Sequence, residues 1–152
     1  MRVQRRRGDV VVVGLDAVGR DLLTSLAAQY DEVLHDDEGD DAVHDRLFPA
    51  AYRDDPDADD EFRRYTYEGL VDRKSANAGR IAASIAAAGD GRILLDPDAV
   101  GAWLPALTDL RLVIAERLGI RRDDDPVPDG QLGQVYRWLA ELQARLVDAV
   151  DR

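Results

Sequence analysis

Cysteine is absent from this chain and lysine nearly so, Lys74 being the only one. The first absence excludes a disulfide scaffold and any cysteine-ligated zinc site, and it fits a reducing cytosol. The second leaves arginine to supply every other basic side chain. Acids outnumber bases, 31 to 20, for a formal net charge of -11, so the summed field repels phosphate backbones and disfavours nonspecific nucleic-acid or anionic-membrane binding. Long apolar runs are missing too. The opening MRVQRRRGDVVVVGL sets basic residues before an apolar stretch, but Asp16 interrupts it too early for a signal peptide or a membrane span. A soluble, cytoplasmic protein with no membrane partner is expected. The preference for Arg and Asp, with abundant Ala, Val and Gly, fits GC-rich coding; a salt-adapted acidic surface is the other reading.

What is present suffices for one domain, 1–152, with its own core. Val3 to Arg6 and Asp9 to Val13 flank Arg7-Gly8, a hairpin pattern whose glycine supplies the turn. From Asp16 to Leu34, Val18, Leu22, Leu26, Tyr30 and Val33 recur at helical spacing, widened by Leu23 and Leu34. Residues 35–45 are dominated by acids, with His35, His44 and two apolar residues, and predict an exposed acidic linker. Leu47, Phe48 and Tyr52 then dock back on the core.

Asp57 is placed to cap a short helix carrying Phe62 and Tyr65, and Thr66 to cap a fresh one over 67–87 with Leu70, Val71, Ala78, Ile81, Ala82 and Ile85 inward. Gly89-Asp90-Gly91 ends it, and 92–95 reads as a strand. Asp96-Pro97-Asp98 opens a helix that stops near Gly119. After a loop punctuated by Pro126 and Pro128, a last helix over 131–150 shows Leu132, Val135, Leu139, Leu142, Leu146 and Val150 in near-heptad order. The fold expected is mainly α: a bundle of about four long helices with a two- or three-stranded sheet from the hairpin and 92–95. Asp16-Ala17-Val18-Gly19 is echoed by Asp98-Ala99-Val100-Gly101, each after a strand and opening a helix.

Several chemical motifs fail on their own residues. Gly14-x-Asp16-x-x-Gly19 places a carboxylate where a dinucleotide turn needs a glycine, so a helix cap is the better reading. Asp55, Asp57 and Asp59 imitate the start of a calcium loop, but Asp60 and Thr66 stand where its glycine and glutamate belong. His35 and His44, with their neighbouring aspartates, lie in a stretch where nothing fixes a metal geometry. Thr24 and Ser25 have no adjacent base, and Arg2, Arg5, Arg6 and Arg7 fit an exposed hairpin. No catalytic residue, metal or cofactor is expected.

Polarity within otherwise apolar helix faces is more informative. Lys74 and Asn77 share the stripe that continues through Ile81 and Ile85, while Arg111 lies four residues from Leu107 and three from Ile114. A charge buried there needs a partner. Lys74, Asn77, Asp109 and Arg111 are therefore expected to form one polar cluster between the two central helices, either a structural network or the wall of a groove flanked by Trp103. Trp138, beside Tyr136 on the last helix, is a core or rim aromatic or a protein-binding hot spot.

The run Glu61-Phe62-Arg63-Arg64 with Thr66, then Leu70 and Lys74, then Trp103-Leu104-x-x-Leu107-x-Asp109-Leu110-Arg111-Leu112, Arg117-Leu118-Gly119 and Tyr136-x-Trp138-Leu139 resembles an actinobacterial domain-of-unknown-function family often encoded beside the Clp protease adaptor ClpS. Thr108 departs from that pattern, which has asparagine there. The resemblance implies no catalytic residues. It implies a non-enzymatic regulatory or adaptor-like protein whose partner is a Clp component or its adaptor, engaged near Trp103 or Trp138. The alternatives are a ligand-responsive transcriptional regulator and an enzyme of unrecognised type. The acidic charge and the lack of a recognition helix argue against DNA contact, and the near-heptad last helix leaves a homodimer open.

Overall fold

A computed structural model describes residues 1–36, 39, 41–49 and 56–151, without the side chains of 41 and 56–66. Strands β1 (Arg2–Arg5), β2 (Val11–Gly14) and β3 (Ile93–Leu95) form an antiparallel sheet in the order β1-β2-β3. Val3 faces Val13, and Val13 in turn faces Ile93. The first turn passes through Gly8 at φ 79°, the left-handed conformation that glycine adopts without steric cost. Five helices complete the described chain: α1 (Ala17–Leu34), α2 (Asp41–Leu47), α3 (Pro56–Ala88), α4 (Pro97–Leu118) and α5 (Gln131–Asp151). The architecture is mainly helical with a small N-terminal sheet, as the periodicities predict. No described helix is long and apolar enough to cross a membrane.

Both strand-to-helix junctions use an aspartate cap. Asp16 accepts the Gly19 amide at 2.7 Å and Asp96 accepts the Ala99 amide at 2.8 Å. Their backbones are nearly superimposable, φ/ψ -71°/174° and -72°/172°. The repeat in the fold thus pairs Asp16 with Asp96. The textual echo at Asp98 is offset by two residues, because capping geometry and not letter identity sets the register. At the far end of α4, Gly119 takes φ 75° and closes the helix.

Helix α1 packs on α3, α3 on α4 and α4 on α5, while α2 also lies on α4 and α5 covers β1. Trp103, Leu107, Leu139, Leu142, Ile81 and Leu23 are wholly enclosed in the shared core. Several expectations about faces need correction. The buried stripe of α1 is Gly19, Leu23, Ala27, Tyr30 and Leu34, whereas Val18 is 76% exposed. Small residues set this face. A Cβ on Gly19 would stand 3.3 Å from the Trp138 ring, so α1 turns its small side inward, a choice that counting large apolar residues misses. On α5 the seam ends at Ala149 and leaves Val150 41% exposed, the drift of a 3.6-residue helix away from a strict heptad.

Thr66 starts no helix. Helix α3 runs unbroken through it, since no glycine or proline interrupts 57–66 and a capping-type residue inside a helix costs only tenths of a kcal/mol, roughly. Asp57 and Asp59 fall within that helix, which removes the calcium-loop reading. Inside the expected linker, Asp41–Leu47 is helical and buries Val43, and Leu47 and Phe48 follow into the core. Residues 37, 38 and 40 of that linker, and Tyr52 and Asp55, lie outside the described residues.

Candidate functional site

Helix α4 carries Asp109 and Arg111 two positions apart. Residues i and i+2 of an α-helix point about 200° away from each other, so the expected single cluster is divided between two faces. The structure brings Lys74 to Asp109 and sends Arg111 to the other side.

On the α3 side, Asp109 is 7% exposed and is the one buried charged residue among those described. Its Oδ2 accepts Lys74 Nζ at 2.6 Å and also the hydroxyl of Tyr30 from α1. Burial, and then the hydrogen bond to the carboxylate, push the Tyr30 phenol far above its ordinary value of 10.0. Asn77 is half-buried one turn beyond Lys74 and makes no hydrogen bond to Asp109. Three helices are tied here by one carboxylate, and the centre is closed.

On the opposite face, Arg111 lines a hollow of about 410 Å³ shared with Arg46, Arg121, Arg122, Thr108 and Tyr136, floored by Leu112, Ala115 and Ile120 and edged by Asp123. Arg111 donates to Gln143 Oε1 at 2.9 Å and to the Tyr136 hydroxyl at 3.4 Å, with its guanidinium 5.2 Å from the Tyr136 ring centre. All these partners are neutral. Its Nε is buried with no hydrogen-bond partner. A half-buried cation without a counter-charge among the described residues departs from the usual pairing of buried charge.

Arg46 and Arg121 are held through their side chains, and Arg122 through its backbone alone. Arg46, from α2, bonds Glu116 at 2.9 Å and the Ile120 carbonyl at 2.7 Å, and Glu116 also lies 3.9 Å from Arg121. Just past the α4 cap, the Asp125 carboxylate accepts the amides of Arg121 and Arg122 at 2.8 and 3.0 Å, which holds its pKa below the ordinary 3.8. Further along, Arg137 reaches the Val127 carbonyl at 3.1 Å, and Gly133 lies so close to Pro128 that an added Cβ would stand 2.0 Å from its carbonyl oxygen. The loop carrying two of the four arginines is therefore anchored at several points.

Neither tryptophan flanks this hollow. Trp103 is fully buried, with its indole N–H donated to Ser84 at 3.2 Å, so it is a core residue and no surface for a partner. Trp138 is half-buried beside Gly19. Thr108 does line the hollow and accepts from Gln143 at 2.6 Å. His44 is bonded to the Tyr67 hydroxyl at 2.8 Å and His35 to the Asp31 carbonyl at 2.8 Å. Among the described residues no group of three or more His, Asp or Glu is arranged to hold a metal.

Sequence reasoning singled out Arg111 but missed Arg46, Arg121 and Arg122. The usable signal was the Arg121-Arg122 pair two residues past the helix-ending Gly119 in an acidic chain. The family model described as Domain of unknown function (DUF2017) matches residues 1–150. No curated protein and no solved structure matches the chain.

Proposed function

The chain belongs to the DUF2017 family, and from that membership and the geometry above we propose a non-enzymatic regulatory protein that acts by binding, with the arginine-lined hollow as its recognition site. One observation carries this reading: Arg111 meets the hollow with neutral partners only and a buried, unpartnered Nε. Arginine holds its proton throughout the accessible pH range, so it binds and orients and does not act as a base. The buried acid, Asp109, is occupied by Lys74 and Tyr30 and does not line the hollow. The chemistry on offer is recognition of negative charge.

What such a regulator acts on is a protein partner in the cytoplasm. The expected gene neighbourhood, beside the gene for the Clp adaptor ClpS, makes a Clp component or ClpS the first candidate. Affinity capture of the tagged chain from an actinobacterial lysate, beside an unrelated protein of matched acidity, tests this. Enrichment of Clp subunits or their adaptor that falls in Arg111→Gln supports the proposal; equal recovery on the control protein removes it.

A ligand-responsive regulator of transcription is the second reading, favoured by the same hollow, and salt-dependent retention on DNA near physiological ionic strength would put it first. Self-association through the exposed Val147 and Val150 of α5 is an accompanying proposal, for which light scattering would show twice the monomer mass.

A further inference from the structure

The geometry points to the class of ligand: a small metabolite carrying two oxyanion charges, as phosphate or as carboxylate, seated in the hollow against Arg111 and Arg122. This rests on reading the hollow as a binding site and deepens it. The unpaired guanidinium groups set the valence. Four guanidinium groups line the space, and the carboxylates beside them are Asp123 at the edge, Glu116 behind Arg46 and Arg121, and Asp125, which is taken up by the Arg121 and Arg122 backbone amides. Two of the four guanidinium groups are left without an ion pair, on a chain whose overall charge is -11. Arg46 is already committed to Glu116, and Arg121 shares that carboxylate. The guanidinium groups of Arg111 and Arg122 make no ion pair among the described residues.

Size and lining set the rest. A volume of about 410 Å³ falls at the small end of ligand pockets, which run from about 300 to 1,000 Å³. Leu112, Ala115 and Ile120 offer an apolar floor to a short carbon skeleton, and Thr108 adds a hydroxyl. Guanidinium forks match the paired oxygens of phosphate and carboxylate, where an ammonium offers only a point charge. The Nε of Arg111 is buried without a hydrogen-bond partner among the described residues, so the fold does not satisfy this guanidinium fully. The floor and loop are fixed beforehand by Glu116 and Asp125, so little ordering accompanies binding.

Isothermal titration of the full chain with inorganic phosphate, succinate and acetate, at about pH 8 where phosphate is the dianion and at one ionic strength fixed with sodium chloride, tests the assignment. Saturable one-to-one binding is expected for phosphate or succinate or both, with acetate weaker by about tenfold or more. Which dianion binds more tightly identifies phosphate or carboxylate as the natural group. Arg111→Gln should weaken binding by about tenfold or more, and the rim variant Arg122→Gln by about threefold to tenfold. Arg2→Gln, in the exposed hairpin, should change nothing. Circular dichroism verifies that each variant is folded, and Arg122→Gln, at an exposed position, keeps the test decisive if Arg111→Gln is not.

Equal responses to acetate and both dianions, or dianion binding that survives both hollow variants in folded protein, would overturn the assignment. The broader reading fails separately. Dianion binding by a protein that captures no partner removes the regulatory role and keeps the site, whereas partner capture that depends on Arg111 without dianion binding does the reverse.

Discussion

Asp109 and Arg111 are neighbours on one helix with opposite fates. Asp109 is met by a cation and a hydroxyl donor from two other helices, while Arg111 is met by an amide oxygen, a hydroxyl and an aromatic face. One side of α4 closes its charge and the other leaves it open. The difference teaches where to look for function in a fold without a familiar catalytic motif: a satisfied buried charge holds the helices together, and an unsatisfied one is available to something else. Mutation should separate the two sides by sign as well as by size.

The largest effect belongs to the closed side. Asp109→Ala strands the Lys74 ammonium and removes the acceptor of Tyr30, and breaking a buried pair from one end costs about 3–5 kcal/mol. For a chain of this size that lowers the melting temperature by roughly 6–20 °C. Replacing both members with apolar residues, Lys74→Met with Asp109→Leu, should recover much of the loss. Thermal unfolding followed by circular dichroism measures both, and an unchanged midpoint in Asp109→Ala would erase the distinction between the faces.

Next in size is the loop that keeps the open side in place. Gly133→Ala would put a methyl group 2.0 Å from the Pro128 oxygen, so helix and loop must part, at about 1–3 kcal/mol as for other overpacked sites. Because that loop carries Arg121 and Arg122, the hollow should change with it. Amide exchange across 121–130 is expected to speed up in this variant more than exchange in α3. A uniform loss of protection would mean that the loop and core are a single cooperative unit.

Arg111→Leu should behave unlike Asp109→Ala despite lying one turn away or less. It removes two hydrogen bonds and a ring contact, but also a cation with no counter-charge, and the opposing contributions leave a change of about 1 kcal/mol or less. Chemical denaturation with an unaltered slope is the measurement. A loss as large as that of Asp109→Ala would show that Arg111 is structural and that the open face is closed after all.

Much of this contrast was legible beforehand, and the part that was not has a geometric cause. Strand, cap and helix positions follow from local signals, so Gly8, Asp16, Asp96 and Gly119 could be read one at a time. The need of Lys74 for a partner followed from its place on an apolar stripe. Placing Arg111 with Asp109 was an error of phase: both lie between apolar residues, and only the 100° advance per residue puts them on opposite walls. Val18 and Trp103 failed for a related reason. Periodicity identifies an apolar face but not which small residues, such as Gly19 and Ala27, allow a neighbour close enough to bury it. The hollow needed Arg46 from α2 beside Arg121 and Arg122 from a loop some 75 positions later, a juxtaposition no local pattern carries.

The smallest effects are pH dependences, and the two faces should show them with opposite sign. On the closed side the fold favours the neutral phenol of Tyr30 and raises its pKa above the ordinary 10.0. Its stabilising contribution is whole below pH 10 and is lost as pH climbs through the alkaline range toward the folded value. On the open side the amides of Arg121 and Arg122 favour the Asp125 carboxylate and lower its pKa from 3.8. That contribution is whole above the ordinary value and is lost as pH falls through the lower folded one. Tyrosinate absorbance should therefore include a late component that disappears in Tyr30→Phe, and carboxyl resonances should show Asp125 titrating below the exposed aspartates. Because Asp125 is only partly covered, in a loop outside the buried core, its protonation should loosen the loop without moving the main unfolding transition, whereas ionising Tyr30 should require that transition. If acid moved the main transition through Asp125, the loop would belong to the core, and the open face of α4 would be as tightly built as the closed one.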